Sequence, residues 1–453
     1  MPDLSTYHIP AGEQCLVFAP LLNVAAAVNA PAVELLRQAL YDGEALPPNS
    51  PLGQLAAELS VAEPPPVVPQ GPARPPFLGL VLTRGCNMTC RYCNFDAEQG
   101  DAAMSPALVS QAISGWVDWV RHAGGGLLDL HFFGGEPFTQ PDLVEIAVHR
   151  ARYLAGKYGL TLRAEASTNG MLNTRMLAFV QDHFDAIVLS LDGQEADHDH
   201  HRLLRNGAGS FREVWRTAEA LASSRVKLCI RCCVSDANVG RMADITRWLG
   251  RTLCPETIDF EPMKSTPGAL AGGLKPPAPL DFARGFVAAR RIAGELGIEC
   301  VYSALYEKPQ QTFCPVGRDT FIVAPDRSVR SCYLRRREWE TRGLDLRIGN
   351  VEPDGRLSIN PEAIQRLREI TADRPRCTRC FCRWSCAGGC LVTETPPGHG
   401  LEYTDFCRQT RLIQACVLLA RLGLMDLADS LLTDAEAVRR LWDHADDRLR
   451  GNS

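Results

Sequence analysis

No run of eighteen or more apolar residues occurs in this 453-residue chain, so no segment reads as a membrane-crossing helix. The opening MPDLSTYHIPAGEQ has neither the basic nor the apolar region of a secretory signal. A cytoplasmic protein that does not engage a membrane is therefore expected. An excess of positive charge is lacking too: 48 Lys and Arg face 53 Asp and Glu, a net charge of −5. No basic stripe interleaved with aromatics appears, and nucleic acid is excluded as an expected partner. The length suffices for one large core and one or two smaller units.

What the chain has in excess is cysteine. Eighteen thiols are more than packing needs, and in a reducing compartment they point to metal rather than disulfides. Cys86, Cys90 and Cys93, in RGCNMTCRYCNF, are spaced C-x3-C-x2-C. Three thiolates leave one iron of a four-iron cubane without a protein ligand. Such an open iron can chelate a small molecule and pass it an electron. A zinc knuckle short of a ligand, or buried core thiols, are the plain alternatives. A second group comprises Cys314, Cys332, Cys377, Cys380, Cys382, Cys386, Cys390 and Cys407. The remaining cysteines are scattered, and Cys229 and Cys233 alternate along an apolar strand as small buried residues do.

Residues 1–62 read as a compact unit, with strands at EQCLVFAP and NVAAAVN and helices at APAVELLRQAL and SPLGQLAAEL. PPPVVPQGPARPP follows as a semi-rigid polyproline linker over 63–76. From residue 77 to 300, six apolar, β-branched strands alternate with amphipathic helices, the pattern of a parallel sheet covered by helices. Periodicity leaves open whether this is an incomplete barrel or an open doubly wound sheet. The segment after SLDG reads as a loop rich in His and Arg. Beyond Cys300 come short strands, turns and cysteines over 301–410, including a hairpin turning at Pro325-Asp326. Helices at about 405–422 and 425–447, in the closing segment 411–453, read as packing elements.

The cysteine loop after the first strand, followed by GGEP at Gly134–Pro137 after the second, resembles the radical S-adenosylmethionine (SAM) enzymes. The resemblance spans about residues 77–300. It implies an α/β fold, a partial (β/α)6 TIM-like barrel, with a [4Fe–4S] cluster on Cys86, Cys90 and Cys93. SAM would complete that cluster and be cleaved to methionine and a 5′-deoxyadenosyl radical. Gly134 and Gly135 would allow close backbone approach, and Glu136 would accept from the SAM ammonium. Without the cysteine loop, GGEP reads equally well as a tight turn. By the same resemblance Tyr92 would meet the adenine through its backbone, and Ser190 and Arg202 would hold the ribose and the carboxylate. Thr168 and Asn169, in STNG, lie at a strand end facing the site.

The second cysteine group resembles the seven-cysteine SPASM extension, which implies two auxiliary Fe–S clusters. Cys377, Cys380, Cys386 and Cys407 would hold one. Cys314, Cys332 and Cys390 would hold the other, with Cys382 or another group free to complete it. Structural zinc is the plain alternative. Two departures stand out: the family's turn glycine is Arg327 here, and the base that follows the second upstream cysteine in sulfatase maturases, an Asp, is Tyr333.

Residues 1–62 resemble the small winged-helix-like α+β domains that bind leader peptides by adding a strand to a sheet edge. A plain packing or dimerisation domain is the alternative. The expected function is that of a peptide maturase installing a cyclophane C–C or thioether C–S cross-link in a ribosomally made precursor, with a flavodoxin or ferredoxin as reductant. No residue is singled out as catalytic. The alternatives are formylglycine formation on a sulfatase-like protein and a non-catalytic Fe–S electron carrier.

Overall fold

The computed structural model describes residues 5–73, 75, 77–93, 95, 103–265, 267–314, 320–372, 374–394, 402–443 and 446–449. Three strands open the chain: β1 (Tyr7–Ala11), β2 (Gln14–Ala19) and β3 (Val24–Val28). They form an antiparallel meander in the order β1-β2-β3. Helices Ala30–Arg37 and Pro51–Leu59 follow, capped by Asn29 and Ser50, whose side chains accept from Ala32 N and Gly53 N. The β1 strand was absent from the sequence reading because Pro10 and Gly12 interrupt its pattern.

The body is an eleven-stranded sheet. Its strands are β4 (Phe77–Val81), β6 (Leu127–Phe133), β7 (Thr161–Thr168), β8 (Ala186–Ser190), β10 (Lys227–Val234), β11 (Thr257–Pro262) and β12 (Glu299–Val301), with β13 (Thr320–Val323), β14 (Ser328–Arg330), β15 (Arg347–Val351) and β16 (Leu357–Ile359) beyond. Two short strands, β5 (Met88–Cys90) and β9 (Arg202–Leu204), form a separate antiparallel pair. From β4 through β6, β7, β8, β10 and β11 to β12, neighbours pair in parallel and in chain order. A doubly wound sheet reverses strand order at a switch point. No reversal occurs here, so the alternative left open by periodicity resolves to barrel-type winding.

Helices cover the outer face. Helix Pro106–His122 starts where expected, with Ser105 accepting from Leu108 N and Pro106 at the first helical position. Its Trp116 is fully buried and donates to Pro75 O at 3.2 Å, while Trp119 donates to Ala73 O at 2.9 Å. The proline linker is therefore pinned to the body at its far end. The His/Arg segment is not a loop: Glu195–His201 is helical, with His198 and His201 buried.

Beyond residue 301 the sheet continues, because β13 pairs in parallel with β4. The predicted hairpin forms β13 and β14 around Ala324–Arg327. Arg327 takes the glycine position in a left-handed conformation, φ 66°. Its side chain offsets the strain by donating to Val351 O, Gln111 Oε1 and Glu352 O. The closing segment comprises three helices rather than two: Asp405–Arg421, Met425–Thr433 and Ala435–Asp443. Among the described residues no helix is long and apolar enough to cross a membrane.

Candidate active site

The C-terminal ends of β4, β6, β7, β8 and β10 converge, the place where parallel sheets position ligands. After β4 the chain runs through Thr83, Arg84 and Gly85 to Cys86. The loop after β6 locks onto it: Gly135 N donates to Thr83 O at 3.1 Å and Glu136 N to Gly85 O at 2.9 Å. A Cβ at Gly135 would fall 2.0 Å from Gly85 O, so only glycine permits this approach. GGEP is thus the latch that fixes the start of the cysteine loop.

Glu136 is 2% exposed. Its carboxylate accepts from Thr168 Oγ1 at 2.9 Å, Asn169 N at 2.7 Å and Phe138 N at 3.1 Å. Burial still outweighs these donors and lifts its carboxyl to about 7. Pro137 opens the 3-10 turn that Glu136 caps. Asn169 reaches the cysteine loop, with Nδ2 donating to Asn87 Oδ1 at 2.7 Å and lying 3.6 Å from Cys86 Sγ. Met88 N lies 3.4 Å from the same sulfur. Four predicted residues, Gly135, Glu136, Thr168 and Asn169, therefore form one hydrogen-bonded unit with Cys86. Gly134 joins β6 to this latch with φ 148°. Ser190 ends β8 in register with Arg231, half-buried.

The rest of the cysteine loop is clipped by the β5–β9 pair, in which Cys90 faces Arg202. Arg202 hydrogen-bonds the Tyr92 hydroxyl, which donates to Asp192 Oδ2 at 2.8 Å. Asp192 is fully buried and accepts from Cys233 N at 2.9 Å. His201 lies 3.6 Å from it and bonds Ser235 Oγ at 2.8 Å. Sequence reasoning used Ser190 and Arg202 here but passed over Asp192, which stood in the same SLDG motif. Cys233, read as a small buried strand residue, packs with Tyr92 against the same Met263, Ala269 and Leu274 cluster.

Burial raises the Cys86 thiol and pushes Cys90 up to about 12. Buried thiols of this kind ionise only against a compensating cation, so the donor set fits a cationic iron cluster. Among the described residues no three His, Cys, Asp or Glu side chains converge on a position for one metal ion.

Cys386 lies near Cys377, Cys380 and Cys407, and Cys332 lies near Cys314 and Cys390. Cys382 sits with Cys380 and Cys386, apart from the three-cysteine set. Arg411 from helix Asp405–Arg421 lies 3.4 Å from Cys380 Sγ, and a hydrogen bond from Cys382 helps hold the Cys380 thiol down at about 7. Tyr333, directly after Cys332, enters the barrel. Its hydroxyl meets His131 Nδ1 at 2.7 Å, and a Cβ at Gly79 would lie 2.2 Å from it. Burial lowers His131 to about 3, so this imidazole is neutral near pH 7. The Tyr333 carbonyl accepts from Arg84 at 2.7 Å, which ties the two cysteine regions together.

Residues 80–247 match the model of the Radical SAM superfamily. The chain is 26% identical over 213 residues to a serine-type anaerobic sulfatase-maturating enzyme of Klebsiella aerogenes, covering 46% of this chain and 51% of that protein. It is 25% identical over 321 residues to the PqqA peptide cyclase of Rhodopseudomonas palustris, covering 69% and 80%. The chain thus spans about half the length of the first of these relatives. Among solved structures, anSMEcpe with bound AdoMet superposes with TM-score 0.60 at 18% identity, over 82% of this chain and 100% of that one. Streptococcus suis SuiB bound to S-adenosylmethionine gives 0.50 at 12%, over 86% and 95%. At such identities these likenesses establish the fold alone.

Proposed function

This chain carries a radical SAM domain over residues 80–247, and on that premise we propose that the whole chain is a peptide maturase. Its Cys86, Cys90 and Cys93 would hold a [4Fe–4S] cluster, and SAM would bind beside them. When bound, cluster and SAM together supply a 5′-deoxyadenosyl radical that removes a hydrogen atom from the substrate. The chain's own residues do the rest. GGEP holds the loop, Glu136 offers a carboxylate to the SAM ammonium, and the β5–β9 clip with Tyr92 and Asp192 keeps Cys90 and Cys93 in place. Ser190 binds the ribose and Tyr92 borders the adenine. The observation that carries this reading is the convergence of the latch, STNG and the cysteine loop into one bonded unit beside Cys86.

The two further cysteine sets would hold auxiliary Fe–S clusters, which when bound would supply a path for the electron the substrate loses, with a flavodoxin or ferredoxin as the reductant. The substrate is a ribosomally made precursor peptide, and the product a cyclophane or thioether cross-link. Similarity to a PqqA peptide cyclase over 69% of this chain supports a peptide substrate. So does the fold shared with anSMEcpe, which has been solved with AdoMet and the Cp18Cys peptide (TM-score 0.60).

The N-terminal unit receives the leader. Residues 446–449 cover the outer side of β1, through a Tyr7–Arg448 bridge, His8 N to Asp447 O at 2.7 Å and Leu449 N to Thr6 O at 2.8 Å. Among the described residues β3 has no strand on its outer side. This half-buried VAAAV edge is the one a leader strand would extend. The protein acts in the cytoplasm, where such precursors are made.

Formylglycine formation is the second reading, favoured by the sulfatase-maturating relative. Tyr333, bonded to a neutral His131 where that branch has its Asp, counts against it.

Anaerobic reconstitution should yield about twelve irons per chain, and dithionite should drive SAM cleavage. Co-expression with a precursor encoded nearby should return a peptide lighter by a pair of hydrogens per cross-link. Formylglycine on that peptide instead would overturn the cross-linking reading, and absent SAM cleavage would leave only an electron carrier.

A further inference from the structure

A cleft of about 570 Å³ opens where three parts of the chain meet. The β2–β3 turn contributes Asn23, helix Pro279–Leu296 contributes Val287, and helix Asp405–Arg421 contributes Gln414. Phe18 and Leu305 add apolar wall. Clefts of this size at the junction of structural units are common ligand sites.

Packing accounts for the apolar wall but not for Gln414. That side chain is 6% exposed, and among the described residues its Oε1 has no hydrogen-bond donor. An unmet acceptor in such a place costs stability unless something else supplies the N–H. The amide carries one acceptor and two donors on a terminal group whose torsion is soft, so it can turn toward an occupant of the cleft. Its complement is a group offering an N–H and a C=O side by side, which is a peptide unit. A simple anion would leave Oε1 unmet, and a simple cation would leave the amide N–H groups unmet.

The cleft also lies on a path. Arg421 donates to Asn23 Oδ1 and, at 3.2 Å, to the Asn23 carbonyl, which fixes the β2–β3 turn at the edge of the cleft. β3 runs antiparallel to β2, with Val24 opposite Ala19. A strand added antiparallel to the free edge of β3 would finish its run beside Val24, next to Asn23. A peptide leaving that edge meets the cleft at once.

We propose that this cleft is a second anchor for the substrate peptide. It takes the residues just C-terminal to the strand paired with β3. Gln414 pairs with one peptide unit, and an apolar side chain lies against Phe18, Val287 and Leu305. The inference rests on the reading of the β3 edge as the leader site.

The test is fluorescence anisotropy on the reconstituted full-length protein. The probes are two labelled synthetic peptides copied from the precursor encoded beside this chain. One ends with the β3-pairing segment, and the other continues to the first core residue. Gln414→Leu should weaken binding of the longer probe at least tenfold and leave the shorter within about threefold of the parent. Val287→Phe, which fills the cleft from another wall, should do the same. The unfolding midpoint of Gln414→Leu should hold or rise, because an unmet buried acceptor is removed.

Unchanged binding of the longer probe in both variants overturns the proposal. An equal loss for both probes does so too, making Gln414 a prop of the N-terminal unit. A lowered midpoint with unchanged binding assigns the amide to a buried water and overturns it as well. Dimers of the parent in sedimentation that Gln414→Leu abolishes would give the cleft to a second copy of this chain instead. Failure of the underlying reading looks different: a proline in β3 would then leave the binding of both probes as in the parent.

Discussion

Arg411 and Asp447 form a fully buried ion pair, with guanidinium nitrogens 2.5 and 2.9 Å from the two carboxylate oxygens. Asp447 also accepts from Phe381 N at 3.1 Å, and Arg411 touches Cys380 Sγ. The backbone of Asp447 meanwhile accepts from His8 in β1. One residue thus joins the N-terminal meander to the Cys377–Cys407 set. Asp447→Ala strands a buried guanidinium and should cost about 3–5 kcal/mol, read as a lower unfolding midpoint. Replacing both partners by apolar residues should cost less. Equal losses would show that the contact with Cys380, rather than the pair, carries the stability.

Cys382 lies with Cys380 and Cys386. Cys382→Ala should therefore leave iron content and every cluster signal in place, whereas Cys332→Ala should lose about four irons. A loss of iron in Cys382→Ala would make it a ligand.

If Glu136 meets the SAM ammonium as proposed, SAM binding should depend on pH. The Glu136 carboxyl is lifted to about 7 by burial, and the ionised form accepts from an ammonium more strongly than the neutral acid. SAM affinity should therefore fall about tenfold per unit below pH 7 and level off above it. For the unliganded protein the sign reverses. A raised folded-state value means that its stabilising contribution is present below the ordinary carboxylate range and is lost as pH rises through about 7. Glu136→Gln should flatten both profiles. A SAM affinity in the parent that does not change between pH 6 and 8 removes the ammonium contact.

Arg327 offers a cleaner stability test. Arg327→Ala keeps a side chain at φ 66° and deletes three hydrogen bonds, so it should destabilise by about 2 kcal/mol. Arg327→Gly relieves the backbone and should be the milder of the two in a denaturant titration.

The β3 edge can be probed without dismantling the body. Tyr7, Ile9, Leu16 and Phe18 are part of the main core, so deleting residues 1–62 would damage more than leader binding. Alternate residues of a strand turn their N–H groups to opposite sides. A proline replacing whichever of Ala25 and Ala26 turns away from β2 should weaken precursor binding at least about tenfold while sparing dithionite-driven SAM cleavage. Unchanged binding would move the leader elsewhere.

Much of the site was legible because its chemistry is local. C-x3-C-x2-C, GGEP and STNG each sit within a few residues and at strand ends, and the six βα units follow from periodicity. Glu136 and Asn169 could be named from such runs. Asp192, the Tyr333–His131 contact and the Arg411–Asp447 pair could not. Their partners lie far apart in the chain: Tyr92 and Asp192 are separated by 100 residues, and His131 and Tyr333 by 202.

The sequence by itself determined which thiols are grouped and which segments become strands, because cysteine spacing and side-chain alternation are short-range properties. Only the tertiary structure decided which charges face those thiols. The register of β5 against β9 sets Arg202 opposite Cys90. A β-ladder brings distant residues face to face, and the electrostatics of a buried site depend on that proximity rather than on composition.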